Sequence, residues 1–387
     1  MSFQLRKNLM LMLSLINRII PKSSSKIFFY DSTFRKDNLW TLLKFLEEKK
    51  FYDKYTIYYF TSEKVEDQSL SPKIKFINGN LSGLYHHLTA KYIFSAFGAY
   101  RFMCKHSKNQ VTVNLWHGSP LKTIGILAGE KTWYPYYDIF KYTLCSSDFF
   151  KKIMISSFGF EEDQGLVLGA PRNDDMFSKV ACFELLNINN EKYKKIVLWM
   201  PTFRTSEKYS DSSIDFPLLD SSNSKMIDKM LFDNKTLLIV KTHPFQEPLD
   251  LFQEKYNNIM LLTNADLEKK SIKLYQLLGQ VDALLTDYSS VYFDFLLTQK
   301  PIGFVLDDID EYGDKRGFVV ENPLDLMPGE KIYNEEDFIT FIRNTSKDID
   351  NFKEERKHIN DLVNKYQDNR NCERILEFLG ITPQRDV

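Results

Sequence analysis

Cysteine is scarce in this chain. Only four cysteines occur among the 387 residues, at positions Cys104, Cys145, Cys182 and Cys372. They form no C-x-x-C pair and no Cys/His cluster at metal-ligand spacing. We therefore expect reduced thiols in a cytosolic protein.

The chain also lacks net charge and long hydrophobic runs. Its 51 Lys+Arg against 52 Asp+Glu give a formal charge of −1, which excludes the basic excess typical of nucleic-acid-binding proteins. No apolar run approaches the roughly 18–20 residues that cross a bilayer, so no transmembrane segment is predicted. The chain does have 31 Phe, 21 Tyr and 4 Trp, too much packing surface for a disordered protein. At about 100–200 residues per domain, the length indicates two globular domains with a cleft between them.

Acidic residues are absent from the first thirty positions. The first is Asp31, and it follows five basic residues at Arg6, Lys7, Arg18, Lys22 and Lys26. A helix over 3–20, stopped by Pro21, would carry one broad apolar face formed by Leu5, Leu9, Met12, Leu13, Leu15, Ile16, Ile19 and Ile20. Its other face would carry Arg6, Lys7, Ser14, Asn17 and Arg18. No small-residue cleavage site of a signal peptide follows. An interfacial helix on anionic lipid and a helix docked on the protein's own surface both remain open.

Short apolar, β-rich runs alternate with helical stretches after Pro21. Near-continuous apolar strands between helices are typical of parallel sheets covered on both faces, so the predicted class is α/β. The predicted strands are 26–30, 55–60, 73–77, 91–96, 111–115, 142–145, 196–200, 236–240, 259–262, 283–285 and 302–306.

A turn-rich segment followed by a polar stretch, between Gly169 and Lys195, indicates a domain boundary. We predict a membrane-associating amphipathic helix over 1–22, Rossmann-like domains over 23–190 and 191–350, and C-terminal helices over 351–387 that pack back on the N-terminal domain. The polar stretch 205–215 is expected to form a surface loop. Ligands of doubly wound domains bind outside the carboxyl ends of the strands.

A histidine stands at one such strand end. In VTVNLWHGSPLKTIG the strand ends at Trp116, and His117 and Gly118 follow. A histidine near its usual pKa of about 6.5 can take a proton from an alcohol, and glycine permits a close approach of substrate. A structural histidine in the turn is the alternative, and a single titratable residue does not decide between them.

Two further strand ends carry cationic or titratable groups. WMPTFR ends a strand and presents Arg204, whose guanidinium suits phosphate, although a surface ion pair is the commoner role of an isolated arginine. VKTHP delivers His243 to another carboxyl edge. Three such strand ends together favour a functional site.

The segment LLTDYSSVYFDF combines a strand end with a helix start. Asp287 and Ser289 are good N-cap residues, and an apolar helix is predicted through Val291, Phe293 and Leu296. With the hydroxyls of Ser289 and Ser290, such a helix start could hold a phosphate or pyrophosphate, although ordinary capping explains the pattern equally well.

Asp308-Ile309-Asp310 could be mistaken for a D-x-D metal site that holds Mg²⁺ or Mn²⁺ on a nucleotide diphosphate. The chain offers no further ligand cluster, so we favour a site without metal.

Six short motifs stand in order between about residue 90 and residue 320. They are Trp116-His117-Gly118 with Leu121-Lys122, Gly169-Ala170-Pro171-Arg172-Asn173-Asp174, Pro201-Thr202-Phe203-Arg204, His243-Pro244, Asp287-Tyr288-Ser289-Ser290 with Asp294, and Asp310-Glu311-Tyr312 leading to Arg316-Gly317. This set resembles the CDP-glycerol glycerophosphotransferase family of bacterial teichoic-acid and capsule synthesis. Ser119 and Ala170 stand where that family commonly has threonine and tyrosine.

The resemblance implies a GT-B-like fold, in which two Rossmann-like domains face each other across a cleft, and transfer of a polyol phosphate from a CDP-polyol to a hydroxyl acceptor with release of CMP. It implies His117 as general base in the N-terminal acceptor domain, and His243 as a second essential group near the transferring phosphate in the C-terminal CDP-donor domain. Donor and phosphate contacts are expected from Thr202, Arg204, Asp287, Ser289, Ser290, Asp294 and Arg316. Acceptor-side contacts are expected from Trp116, Gly118, Lys122, Arg172 and Asp174.

The resemblance further implies CDP-glycerol as donor and a lipid-linked glycan or polyol phosphate as acceptor. The protein would lie peripherally on the cytoplasmic face of the membrane, with its N-terminal helix on anionic lipid. No cofactor, metal or nucleic-acid partner is expected, and an oligomer is left open. The alternatives are a ribitol-phosphate transferase, another nucleotide-sugar transferase of the same fold, and a membrane-bound scaffold without turnover. The sequence does not choose the polyol, the acceptor, or single addition against polymerisation.

Overall fold

Two compact units make up the chain. The computed structural model describes residues 3–31, 37–62, 70–96, 102, 104–129, 139–201, 218–219, 223–241, 256–309, 313 and 317–384, with the side chains of the first helix from Asn8 onward. The first unit comprises Met1–Ser119, Thr123–Asp174 and Val363–Val387, and the second comprises Pro120–Lys122 and Asp175–Leu362.

The first unit contains a seven-stranded parallel sheet in the order β3-β2-β1-β4-β5-β6-β7. Because the strand order reverses between β1 and β4, the carboxyl ends of these strands mark the place where ligands bind in doubly wound sheets. The strands are β1 (Ser23–Tyr30), β2 (Thr56–Phe60), β3 (Ile74–Ile77), β4 (Ala90–Ser95), β5 (Val111–Asn114), β6 (Tyr142–Cys145) and β7 (Gly165–Val167). Helix α1 (Phe3–Ile19) precedes the strands, and α2 (Asn38–Glu48), α3 (Asn80–Thr89) and α4 (Asp148–Phe158) lie between them in the chain.

Apolar side chains cover both faces of this sheet, as expected for parallel strands. On one face Phe29 and Phe94 pack with α2 through residues such as Leu43. On the other face Phe28 packs in a cluster that includes Met10 of α1. Successive residues of β1 therefore serve opposite faces, which explains why the whole strand is apolar after Lys26.

The second unit contains a six-stranded parallel sheet in the order β10-β9-β8-β11-β12-β13, with the reversal between β8 and β11. Its strands are β8 (Lys195–Met200), β9 (Thr236–Lys241), β10 (Ile259–Leu262), β11 (Ala283–Thr286), β12 (Ile302–Val305) and β13 (Glu330–Ile332). Its helices are α5 (Cys182–Leu185), α6 (Ser224–Asp233), α7 (Asn264–Lys269), α8 (Leu274–Gln280), α9 (Val291–Phe295) and α10 (Glu335–Ser346).

Two helices follow, α11 (Lys353–Val363) and α12 (Asn371–Phe378). Buried Cys372, Ile375 and Leu376 of α12 join the apolar cluster on the α2 face of the first sheet. The chain thus returns to its first unit at Val363, later than the predicted start at residue 351.

The division between the units falls after Asp174, earlier than the predicted 190/191 boundary. Residues just after Asp174 make polar contacts with α8 and its N-cap residue. Lys273 Nζ lies 2.8 Å from Asp175 Oδ1, and the backbone N–H of Cys182 donates to Gln280 Oε1 at 3.3 Å. These polar contacts join residues 98 positions apart, so local composition does not reveal them.

The predicted α/β class is confirmed, and each of the eleven predicted strands is observed within a residue or a few of its expected ends. Two strands were not predicted, β7 and β13. Each has three residues and lies at the edge of its sheet, and Glu330 and Lys331 make β13 more polar than its neighbours. The predicted surface loop over 205–215 lies outside the described residues.

Helix α1 docks on the first unit through three buried side chains, Met10, Ser14 and Asn17. Asn17 Nδ2 donates to Lys105 O at 3.0 Å and to Gln110 Oε1 at 2.7 Å, and Ser14 Oγ accepts from Lys105 N at 2.9 Å. Among the side chains of α1 that the structure describes, from Asn8 onward, the exposed apolar ones are Leu9, Leu11, Met12, Leu15 and Ile19. Much of the apolar surface of α1 therefore points away from the unit that holds it. Within the described residues, no helix is long and apolar enough to cross a membrane.

Candidate functional site

His117 lies in a tightly constrained loop just beyond the carboxyl end of β5. Trp116 has a left-handed φ of 52° and Gly118 a φ of 137°, so both neighbours of the histidine adopt a backbone conformation that side-chain-bearing residues rarely take. The N–H of Trp116 donates to Asn114 Oδ1 at 3.0 Å. The indole stacks on the imidazole with ring centroids 4.3 Å apart, and it packs edge-on against Phe158 at 4.7 Å. Trp116 therefore supports the histidine ring.

Arg172 holds this loop from the segment after β7. Its Nη1 donates to His117 O at 2.8 Å and to both carboxylate oxygens of Asp37, at 3.2 and 3.1 Å. The guanidinium is buried, and an ionic partner compensates a buried charge. The predicted acceptor contact of Arg172 stays a prediction.

Asn38, the first residue of α2, binds both segments at once. Its Nδ2 donates to Trp116 O at 2.7 Å and to Leu115 O at 3.2 Å, while its Oδ1 accepts from Arg172 N at 3.0 Å. Sequence reasoning missed Asp37 and Asn38. An Asp-Asn pair before an apolar helix is typical of an ordinary helix N-terminus. The local sequence does not predict a contact between this pair and the loop at residue 117.

Asp174 binds the last helix of the first unit. Its Oδ1 accepts from Asn371 N at 3.0 Å and from Asn371 Nδ2 at 2.8 Å, and its Oδ2 accepts from Cys372 N at 2.8 Å. Burial raises the pKa of this carboxyl, and the hydrogen bonds oppose that shift. Asp174 thus satisfies free N–H groups at the start of α12. Its predicted acceptor-side role stays a prediction beside this structural one.

The motif after His117 divides between the units. Ser119 Oγ lies 2.8 Å from Ser146 Oγ within the first unit. Within the second unit, Lys122 forms an antiparallel bridge with Phe318, and Val319 N donates to Leu121 O at 2.9 Å. Lys122 is thereby placed beside Gly317, the residue after the predicted donor contact Arg316.

In the second unit, β8 and β11 flank the reversal of strand order. The hydroxyl of Thr286 donates to Met200 O at 2.9 Å and ties the two strand ends together. The predicted Pro201 and Asp287 motifs therefore follow adjacent strands. Four predicted site residues lie outside the described residues, namely Thr202, Arg204, His243 and Arg316.

The predicted site residues in the segment after β11 differ in how deeply they are buried. Asp287 and Asp294 are buried, whereas Ser289 and Ser290 are half-buried. Ser289 Oγ accepts from Val291 N at 3.5 Å, and Ser290 occupies the N-cap of α9 without a side-chain cap. Asp294 Oδ2 accepts from the hydroxyl of Tyr275 at 2.7 Å. The two serines are therefore the more accessible members of this motif.

Lys241 is a buried lysine that sequence reasoning passed over. It ends β9, two residues before His243, and burial lowers its pKa to about 8. The sequence did carry a signal for this residue, because a lysine stands at the end of an otherwise apolar strand, in VKTHP.

Among the described residues, no group of three or more His, Cys, Asp or Glu is arranged to hold a metal ion. Asp308, the first carboxylate of the considered D-x-D site, accepts from the buried hydroxyl of Tyr288 at 2.9 Å. Asp310 lies outside the described residues.

A family model described as CDP-Glycerol:Poly(glycerophosphate) glycerophosphotransferase matches residues 12–380. The chain belongs to this family. The match spans both units, and it confirms the family resemblance stated from the motifs.

Relatives of this glycerophosphotransferase-family chain carry both polyols in their names. The teichoic acid glycerol-phosphate primase of Bacillus subtilis (strain 168) is 30% identical over 289 residues, 70% of this chain and 68% of the primase. The teichoic acid ribitol-phosphate primase of Bacillus spizizenii (strain ATCC 23059 / NRRL B-14472 / W23) is 24% identical over 383 residues, 95% of this chain and 93% of that primase. The structure of the wall teichoic acid polymerase TagF has a TM-score of 0.76 at 21% identity and covers 98% of this chain and 93% of that chain. At this identity the likeness establishes the shared fold.

Proposed function

We propose that this family member transfers glycerol phosphate from CDP-glycerol to a hydroxyl of a lipid-linked glycan or polyol-phosphate acceptor. The products are the extended acceptor and CMP. The observation that carries the proposal is His117, held at the carboxyl end of β5 by the surrounding hydrogen bonds in a chain whose motifs and family model agree.

In the proposed reaction, the acceptor oxygen attacks the phosphorus that bears the glycerol. His117 takes the proton of the hydroxyl, a new P–O bond forms, and the bond from that phosphorus to the CMP oxygen breaks. The electron pair of the broken bond leaves with CMP. Phosphoryl transfer depends mainly on positioning and on stabilising charge spread over the phosphate oxygens.

The second unit would supply groups that bind the donor phosphates. We assign this role to His243, Arg204, Thr202 and Arg316, and to the half-buried hydroxyls of Ser289 and Ser290. Arg172 and Asp174 of the first unit keep their proposed place on the acceptor side, and Lys122 is proposed as an acceptor contact from the second unit. The proposed chemistry needs no cofactor and no metal ion.

The enzyme would meet its lipid-linked acceptor at a membrane surface. Exposed Leu15 and Ile19 on α1 supply apolar contacts, and exposed Arg18 supplies positive charge for an anionic lipid headgroup. Because the chain carries no acidic residue before Asp31, its N-terminal segment matches an anionic surface. We therefore propose a peripheral location on the cytoplasmic face of the membrane.

The central experiment measures CMP release from CDP-glycerol in the presence of a lipid-linked or synthetic acceptor. Wild type is expected to release CMP, and His117→Ala is expected to lose activity because no base remains to take the hydroxyl proton. CMP release that does not exceed that of His117→Ala would refute the proposal. Full activity of both His117→Ala and His243→Ala would instead favour a scaffold.

Ribitol phosphate is the second candidate, because one of the aligned primases is named for it. Thermal-shift measurements with CDP-glycerol, CDP-ribitol and UDP-sugars would separate the donors, since a bound ligand stabilises the folded state by mass action. Preferential stabilisation by CDP-ribitol would replace glycerol in the proposal. Preferential stabilisation by a UDP-sugar would point to a nucleotide-sugar transferase.

A further inference from the structure

Two residues at the start of α2 hold the loop that carries His117, Asn38 by direct hydrogen bonds and Asp37 through Arg172. Asn38 is 1% exposed, and its amide makes three hydrogen bonds to backbone groups. Its N–H groups face two carbonyls, and its oxygen faces an N–H. Turning the amide over would bring oxygen against the two carbonyls, so these partners determine its orientation.

The contacts reach three consecutive peptide carbonyls. Asn38 binds those of Leu115 and Trp116, and Arg172 binds that of His117. Trp116 meanwhile adopts a left-handed conformation that is unfavourable for a residue with a side chain. Such a conformation persists where the surroundings hold it in place, and Asn38 holds the Trp116 carbonyl at 2.7 Å.

Asp37 acts through Arg172. Both of its oxygens accept from Nη1, the same nitrogen that binds His117 O. Without this carboxylate, a buried guanidinium would lose its ionic partner and its hold on the histidine backbone.

We propose that Asp37 and Asn38 are positioning residues that, with Arg172, set the orientation of His117 for proton transfer. This inference rests on the proposed role of His117 as general base. Asn38 acts directly on the peptide before the histidine, and Asp37 acts on the peptide after it through the guanidinium. Small displacements of a catalytic group lower the rate of the chemical step more than they weaken substrate binding.

The first test compares Asn38→Ala with Asn258→Ala. Asn258 is also buried, and its Nδ2 donates to the Asp228 carbonyl at 3.1 Å in the second unit, so both variants remove a buried amide. For Asn38→Ala we expect kcat to fall about tenfold or more while KM for CDP-glycerol changes by less than about threefold. For Asn258→Ala we expect both constants to stay within about twofold.

A second readout follows the imidazole without turnover. Histidine-selective ¹⁵N labelling gives signals from six histidines, and His117→Asn identifies the His117 signal by its disappearance. Asn38→Ala is expected to shift or broaden that signal, and Asn258→Ala is expected to leave it in place. An unmoved signal together with an unchanged kcat in folded Asn38→Ala would overturn the inference.

Asp37→Asn and Arg172→Lys supply variants that keep most of the side-chain volume. If both act through one contact, their effects on kcat are less than additive in the double variant. Additive effects of Asp37→Asn and Arg172→Lys on kcat would overturn the role of Asp37. This test does not depend on whether Asn38→Ala folds. If wild type releases no CMP from any CDP-polyol, the proposed function fails, and the His117 signal still decides the positioning inference.

Discussion

Replacing Leu15 and Ile19 by glutamine tests the membrane proposal at the outward side of α1. Deleting residues 1–22 is the simpler change, but it would also remove Met10 from an apolar cluster and Asn17 from its contacts with Lys105 and Gln110. A loss of membrane binding after deletion could therefore reflect damage to the first unit. Leu15 and Ile19 are 64% and 80% exposed, so their replacement leaves the docked side of the helix intact.

The size of the effect follows from this exposure. Burying a large aliphatic side chain completely contributes about 1.5–3 kcal/mol. Scaled by the exposed fractions of Leu15 and Ile19, transfer into the lipid interface amounts to about 3 kcal/mol for the pair. Since 1.4 kcal/mol corresponds to a factor of ten, the double variant should bind vesicles about a hundredfold more weakly.

The assay is co-sedimentation with phosphatidylglycerol vesicles over a range of lipid concentrations. Phosphatidylcholine vesicles test the contribution of charge, and wild type should bind them more weakly. Phe232→Gln is the control, because Phe232 is 63% exposed on α6 of the second unit. Vesicle binding of the folded double variant within about twofold of wild type would refute the reasoning, whatever the control shows.

Three further predictions concern stability and metal dependence. Burial lowers the pKa of His87 from 6.5 to about 3, and its Nε2 lies 3.2 Å from Cys104 Sγ. The buried neutral imidazole therefore contributes fully to stability above pH 6.5, and this contribution is lost as the pH falls toward 3, by about 2 kcal/mol at pH 5. Urea unfolding should show a weaker pH dependence of the unfolding free energy in His87→Gln than in wild type. An equal pH dependence in the two proteins would contradict this. Asp174→Ala removes the acceptor for Asn371 and Cys372 and should lower the unfolding free energy of the first unit by about 2 kcal/mol, so an unchanged urea midpoint would count against the capping role. CMP release should persist in excess EDTA, and a loss that Mg²⁺ restores would contradict the proposed metal-free chemistry.

Hydrophobic patterning predicted most of the fold, because buried parallel strands are apolar along most of their length. β9 shows the reason, since all six of its residues are buried. β13 was not predicted, because an edge strand of three residues buries little apolar surface and so leaves no hydrophobic run in the sequence. For α1, periodicity separated two faces of a helix but could not decide which face docks. Ser14 and Asn17 dock because they find hydrogen-bond partners about 90 residues away.

The candidate site was predictable where chemistry follows a strand end. His117 and the serines after β11 follow strands that the pattern identifies, so their position needed only local information. Asp37 and Asn38 could not be found in this way, because their partners lie at positions 115–117 and 172. Asp174 likewise belongs to a family-like motif, yet it accepts hydrogen bonds from Asn371 and Cys372, about 200 residues further along the chain.

The return of α12 to the first unit has a consequence for folding during synthesis. Cys372, Ile375, Leu376 and Ile381 fill part of the apolar cluster beside α2, and they leave the ribosome after every strand of both sheets. The second unit, through Leu362, can therefore complete its contacts while the first unit still has an open hydrophobic surface. The core of the first unit therefore depends on a segment that is translated after the whole of the second unit. Until residues 372–381 are translated, the α2 side of the first sheet exposes apolar surface that these residues later cover.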